Sequence, residues 1–248
     1  MKTTSRADAP RRLPPEERER SIVDGAVALA AESGLEALTV RAVAARVGVT
    51  PALVAHYRPV MESFVAEVFT TIVAAERDEV IASYDPSVDL RTNLLRLIET
   101  LLDDSRDDVA MVWVQSWALG ARNEALGTRV RAEMDLWHSA LEDLIARAIV
   151  EDPVLRDDPV LRENPVLRDN PVLREKPGQV DPASSAWMLL AMVDGMSAHS
   201  LVHWAPRDRA DLARRTLSAV LDVPAADLPV RVREHPAEHP TQPAETLR

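Results

Sequence analysis

Cysteine is absent from the 248-residue chain. That excludes disulfides, thiolate-bound zinc and thiol catalysis within this sequence. Glycine is scarce, at seven residues, which leaves little room for phosphate-cradling Gly-rich loops or Gly-punctuated strands. Aromatic residues make up only 4% of the chain. No run of ~18 apolar residues occurs, so no membrane helix is expected. The segment Met1–Arg20 is charged and Pro-punctuated and lacks the apolar stretch of a secretory signal, so a cytoplasmic location is expected. Neither Gly-x-Ser-x-Gly nor His-Glu-x-x-His is present, and neither an enzyme nor a cofactor is expected. His199 and His203 stand four apart, but no third ligand is evident nearby, so they are read as structural or surface residues rather than a metal site.

What is present is helix-forming. Hydrophobic residues reach 46%, and Ala, Leu, Val, Arg and Glu abound. The expected class is all-α, with about nine helices. The formal net charge of −11 is unevenly spread: residues 1–60 carry nine Lys/Arg against seven Asp/Glu, and the remainder carries 20 against 33. The acidity belongs to the larger C-terminal part, and the N-terminal part is mildly basic.

Residues 1–14 are polar and Pro-containing and read as a disordered arm. From Pro15 to Ser33, Ile22, Ala26, Leu29 and Ala30 fall at helical spacing, and Gly34 suits the C-cap. Thr39 can cap a short second helix carrying Val40, Val43, Ala44 and Val47, which Gly48 ends. Thr50 can cap a third, with Pro51 in its first turn, running to about Tyr57 before Pro59 interrupts it. A long helix is expected from about Val60 to Tyr84. Asp85-Pro86 and Asp181-Pro182 look like N-caps followed by Pro, opening helices near 87–104 and 182–204. Others are placed near 106–121, 124–150 and 207–221. The tail 224–248 has little periodicity and reads as disordered.

Residues 151–174 repeat a hexapeptide ending Pro-Val-Leu-Arg four times. A Pro every six residues breaks any helix, and four units are too few for a solenoid core. Within 151–179 the reading is a Pro-rich insertion, either an exposed linker or a docking segment that uses the Val-Leu pairs.

Residues 43–57 read Val-Ala-Ala-Arg-Val-Gly-Val-Thr-Pro-Ala-Leu-Val-Ala-His-Tyr. This spacing is what a helix-turn-helix requires. Ala44 must be small because the next helix crosses it closely. Gly48 occupies the tight turn, where positive φ is cheap only for Gly. Val49 and Val54 plug the seam. The second helix of such a unit lies in the DNA major groove.

Residues 17–70 resemble the tetracycline-repressor (TetR) type of DNA-binding domain. The matching stretches are Arg20-Ser-Ile-Val-Asp-Gly-Ala, Ser33-Gly-Leu-Glu-Ala-Leu-Thr-Val-Arg, Val43-Ala-Ala-Arg-Val-Gly-Val-Thr and His56-Tyr57. The run Ala55-His56-Tyr57 is similar to the branch that includes the choline-responsive BetI repressors. The resemblance implies a helix-turn-helix domain over 15–60 and a regulatory and dimerisation domain over 61–223. It implies that Thr39 and Arg41 approach phosphate, that Thr50, Pro51, Ala52 and Ala55 face base edges, and that His56 and Tyr57 hold the backbone. Where the family has a phosphate-binding Lys this chain has Met61, and Arg58 is the expected substitute. The resemblance also implies a homodimer through 182–204 and 207–221, binding palindromic double-stranded operator DNA and released by a small-molecule effector.

The candidate effector pocket is drawn from Trp113 and Trp117, four apart on one helix face, with Gln115 beside them. Met134, Trp137 and His138 would form a second wall, and Met188 and Met192 a third. Such a lining suits a small hydrophobic or cationic molecule. The same residues also suit an ordinary core. The rival functional readings are a helical protein-binding adaptor without DNA specificity and a transcriptional activator.

Overall fold

The computed structural model describes residues 14–151, 180–204 and 209–228. The expected disordered arm, the Pro-Val-Leu-Arg repeat and most of the expected tail lie outside those residues. The fold is all-helical. Nine α-helices are present among the described residues, and no strand: α1 (Pro15–Ser33), α2 (Val40–Val47), α3 (Pro51–Tyr57), α4 (Met61–Ala82), α5 (Leu90–Leu101), α6 (Asp107–Gly120), α7 (Glu124–Glu151), α8 (Pro182–Ser200) and α9 (Arg209–Leu221). No helix among the described residues is long and apolar enough to cross a membrane.

Local chemistry sets the boundaries of the first three helices. The Thr39 hydroxyl accepts the Ala42 amide at 3.1 Å and starts α2. Gly48 stops α2 in the left-handed region, at φ 71°, returning its N–H to Ala44. The Thr50 hydroxyl accepts the Leu53 amide at 3.3 Å, and Pro51 occupies the first turn of α3. On the inner faces, Ile22, Ala26, Ala30, Val43, Ala44 and Val54 are fully buried.

That inner layer does not close on itself. It runs on through Phe64, Phe69 and Val73 of α4 to Val112 of α6 and to Leu126 and Val130 of α7. A second core, built from α5, α7, α8 and α9 around Leu94, Ile98, Leu141, Ile145, Leu189 and Leu217, fills the body. Trp113 packs against both. Between α4 and α7 the half-buried Arg77 is ion-paired to the buried Glu133. At the α6–α7 crossing a Cβ on Gly127 would stand 2.7 Å from the Gly120 carbonyl oxygen, so the two backbones touch.

The structure corrects several expected boundaries, among them the helix expected over 182–204, which ends at Ser200 in a turn. Asp89, not Asp85, caps α5, accepting the Thr92 amide at 2.9 Å. Asp85-Pro86 lies in a turn held by Asn93, whose Nδ2 donates to the Asp85 carbonyl at 2.8 Å and whose Oδ1 accepts the Asp85 amide. The helix pattern therefore begins three residues later than 87. The expected tail boundary at 224 also falls too early. Residues Ala225–Asp227 form a 3-10 turn and Leu228 is buried on the body core.

Gly25 marks the closest approach of α1 to α2: a Cβ there would lie 2.4 Å from Val47 Cγ2. Val is stiff at χ1 and cannot swing aside. A helical Gly→Ala change gains about 1 kcal/mol of propensity, but overpacking costs about 1–3 kcal/mol. Gly25→Ala is expected to lower the melting temperature by a few degrees, and adding Val47→Ala is expected to recover most of the loss. Circular-dichroism melts check this, and an unchanged or higher melting temperature in the single variant refutes it.

Candidate nucleic-acid interface and ligand cleft

The outer face of α3 is polar and small. Thr50, Pro51, Ala52, Ala55 and His56 are exposed, while Val54 is buried beneath them. Because the Thr50 oxygen already serves as cap acceptor, its hydroxyl hydrogen stays available as a donor, and Thr39 is in the same state. Arg41 is exposed on α2 with no carboxylate partner among the described residues. Tyr57 is half-buried against the inner layer, with its ring edge-on to His56 at 5.4 Å.

Arg58 is placed differently from the expectation. Its guanidinium is ion-paired to Glu19 of α1 at 2.9 Å and to Glu67 of α4 at 3.0 Å, and it lies over the Phe64 ring. Only 18% of its side chain is exposed. Two carboxylates already neutralise it, so it fastens α1 to α4 and is not presented to a phosphate.

A cleft opens in the body between α4, α6, α7 and α8. Trp113 and Trp117 of α6 and Met134 and Trp137 of α7 line it. Gln115, His138, Met188 and Met192 do not. His138 bonds the Ala183 carbonyl at 3.0 Å and packs on Trp187, and Met188 is exposed. Gln115 points toward the N-terminal helices: its Oε1 accepts the Glu36 amide at 3.2 Å, and its amide group covers Gly34, where any Cβ would collide with it. Alternation along α6 explains the split, since residues two apart face nearly opposite sides of a helix.

The cleft also contains charges that were not anticipated: Glu76 of α4, Arg106 from the turn before α6, and Asp194 of α8. Glu76 accepts the Trp113 indole N–H at 3.0 Å and lies 3.8 Å from Arg106, whose other nitrogen meets Glu79 at 2.9 Å. Burial raises the Glu76 carboxyl above the usual range, against the opposing pull of Trp113 and Arg106. Asp194 takes no hydrogen bond or ion pair from another described residue. Burial, and then the Glu76 charge, push its carboxyl up to about 6. Mid-helix acids read as a solvated face in a sequence. Two of them on α4 and α8 turn inward here; Glu76 lies on the apolar stripe of Phe69, Val73 and Val80, which is the signal that could have found it.

Residues 22–68 match the family model described as bacterial regulatory proteins, tetR family. The match spans α1 to α3 and the start of α4. No curated protein sequence matches the chain. Among solved structures, a TetR transcription regulator from Haloarcula marismortui matches at 18% identity, covering 84% of this chain and 97% of that one, with a TM-score of 0.61. A transcriptional regulator from Saccharomonospora viridis, in complex with choline, matches at 22% identity, 84% and 96% coverage and a TM-score of 0.60. The multidrug binding protein EbrR, complexed with proflavin, matches at 20% identity, 82% and 99% coverage and a TM-score of 0.54. At these identities the likeness is one of fold alone.

Two measurements test the site. The unfolded chain holds the Asp194 proton only below about pH 4 and the folded protein holds it to about 6. Folding therefore bears the cost of a buried charge above about pH 6 and escapes it below about pH 4. Asp194→Asn is expected to raise the melting temperature by about 5 °C at about pH 7.5, with a smaller gain at about pH 5. Equal gains at both would contradict the assignment. In Gln115→Ala the Glu36 amide loses its acceptor, and hydrogen exchange across residues 34–38 is expected to quicken by about tenfold. Unchanged exchange there would show that the contact carries no weight.

Proposed function

We propose that the chain is a ligand-responsive transcriptional repressor that binds palindromic operator DNA as a homodimer and is released by a small hydrophobic or cationic effector. The observation that carries this reading is α3: a capped helix with a free outer face, on a head that matches the tetR family model and shares a core with a body containing a cleft. In the proposed complex α3 enters the major groove, Thr50, Pro51, Ala52 and Ala55 meet base edges, and Thr39, Arg41, His56 and Tyr57 hold phosphates. Arg58 is left out of that set because its charge is already paired.

The dimer is proposed to form through 182–204 and 207–221. In support, α8 exposes Trp187 (55%) and Met188 (39%) beside the exposed Ala191, an apolar face of the kind a two-fold helical interface covers. Operator half-sites lie about 34–36 Å apart or at multiples of that, so a change in the angle between two heads weakens both contacts together. The proposed relay runs from the cleft through α6. One face of this helix holds Trp113 and Trp117, and the other grips the turn before α2 through Gln115. Two proteins of similar fold are complexed with small organic molecules, one with choline and one with proflavin. The Ala55-His56-Tyr57 run further suggests the BetI-like branch.

A gel-shift series on DNA flanking the chain's own gene tests the reading. Arg41→Ala is expected to weaken binding by about tenfold across all sequences and to shallow the salt dependence by one phosphate contact. Thr50→Ala is expected to lose a comparable factor together with sequence preference, and Thr50→Ser to retain both. If the unsubstituted protein binds no DNA more tightly than random duplex, the repressor reading fails.

A further inference from the structure

The body cleft combines an unpartnered carboxylate with three indole rings. Trp113 and Trp117 stand 6.2 Å apart, tilted by 36°, with Trp137 on the α7 side. We propose that this cleft takes a monocationic organic molecule with an apolar body, with Asp194 as its counter-ion and Trp113, Trp117 and Trp137 as its walls. The inference rests on the repressor reading only for the consequence of binding, not for binding itself.

Charge decides against the other ligand classes. An anion would need Arg106, but that guanidinium is already shared between Glu79 and Glu76. A neutral ligand would leave Asp194 buried without a partner, which is costly for an ionised carboxylate. A cation removes that cost and gains the attraction of the ring faces, which is strongest for indole and is felt within about 6 Å of a centroid. The groups around Asp194 reinforce the sign. Glu76 faces it from α4, the paired Arg106 comes from the turn before α6, Asp108 at the start of α6 adds to the field on Glu76, and α7 contributes only Met134 and Trp137 to the lining. A quaternary ammonium fits better than an inorganic ion, because the remaining lining, Leu101, Ala110, Val114, Leu190 and Val193, is apolar.

The test is a titration of the full chain, followed by quenching of tryptophan emission. The probes are benzyltrimethylammonium and neopentylbenzene, which differ only by nitrogen against carbon at one centre. The cation is expected to bind at least tenfold more tightly. That preference is expected to vanish in Asp194→Asn, and to fall by about tenfold in the unsubstituted protein on going from about pH 7.5 to about pH 5, as Asp194 takes up its proton. Equal binding of the two probes, tighter binding of benzenesulfonate, or failure of both probes to bind would each overturn the proposal. The comparison of probes on the unsubstituted protein stands even if Asp194→Asn does not fold. A gel shift with the cation present separates the two readings. Absence of DNA binding removes the repressor function and leaves the titration result intact. Loss of the cation preference with DNA binding retained removes only this inference.

Discussion

The N-terminal head has no core of its own to close, and most of the architecture follows from that. Small side chains on α1 and α2, Ala26, Ala30 and Ala44, let three short helices pack tightly, but they bury too little surface to hold an orientation alone. Phe64 and Phe69 complete the layer from α4, and Val112 and Val130 extend it into the body. The head is therefore oriented by packing against the body and not by a flexible tether. Arg58, between Glu19 and Glu67, adds a charged fastening at the same seam. Close-packed layers of this kind transmit small displacements, because they have discrete arrangements rather than continuous give.

Charge is unevenly spread along the sequence. The mild positive balance of the first 60 residues comes from residues 1–13, with four Lys/Arg against one Asp, whereas residues 14–60 carry five Arg against six Asp/Glu, and the strong negative balance lies beyond residue 60. Within the body that negative charge is partly drawn inward. Glu76 and Glu133 are buried and answered by Arg106 and Arg77, while the half-buried Asp194 lines the cleft without such a partner among the described residues. The helix that leaves the head thus carries, on successive residues, one acid in the cleft wall and one base clamped to α7.

Much of the fold was legible from short-range chemistry. The caps at Thr39, Thr50 and Asp181, the stop at Gly48 and the helix order all depend on neighbours within four residues, which a sequence displays directly. Where a distant or competing partner intervenes, that reading falters. Asn93 reaches back to Asp85 and moves the start of α5 to Asp89. Arg58 looks like a free cation in sequence, but its partners lie 39 residues before and nine after it. Of the residues proposed for the cleft, the tryptophans and Met134 were placed by aromatic and helical spacing. Gln115 was misplaced, because its partner at Glu36 is 79 residues away. Glu76 stands at helical spacing between the buried Val73 and Val80, so its inward turn was legible in the sequence, whereas its meeting with Arg106 and Asp194 in one cleft follows from how the helices pack and from nothing local.

The contact between Gly120 and Gly127 constrains how α6 can respond. Neither position has room for a side chain, so the two helices are held at backbone contact at that end. Trp113 sits seven residues from this fulcrum and Gln115 five, on opposite sides of the same rod, at about 1.5 Å of rise per residue. Were α6 to pivot there, Trp113 would sweep a longer arc than Gln115, so a displacement at the indole would arrive at the Glu36 grip reduced in size.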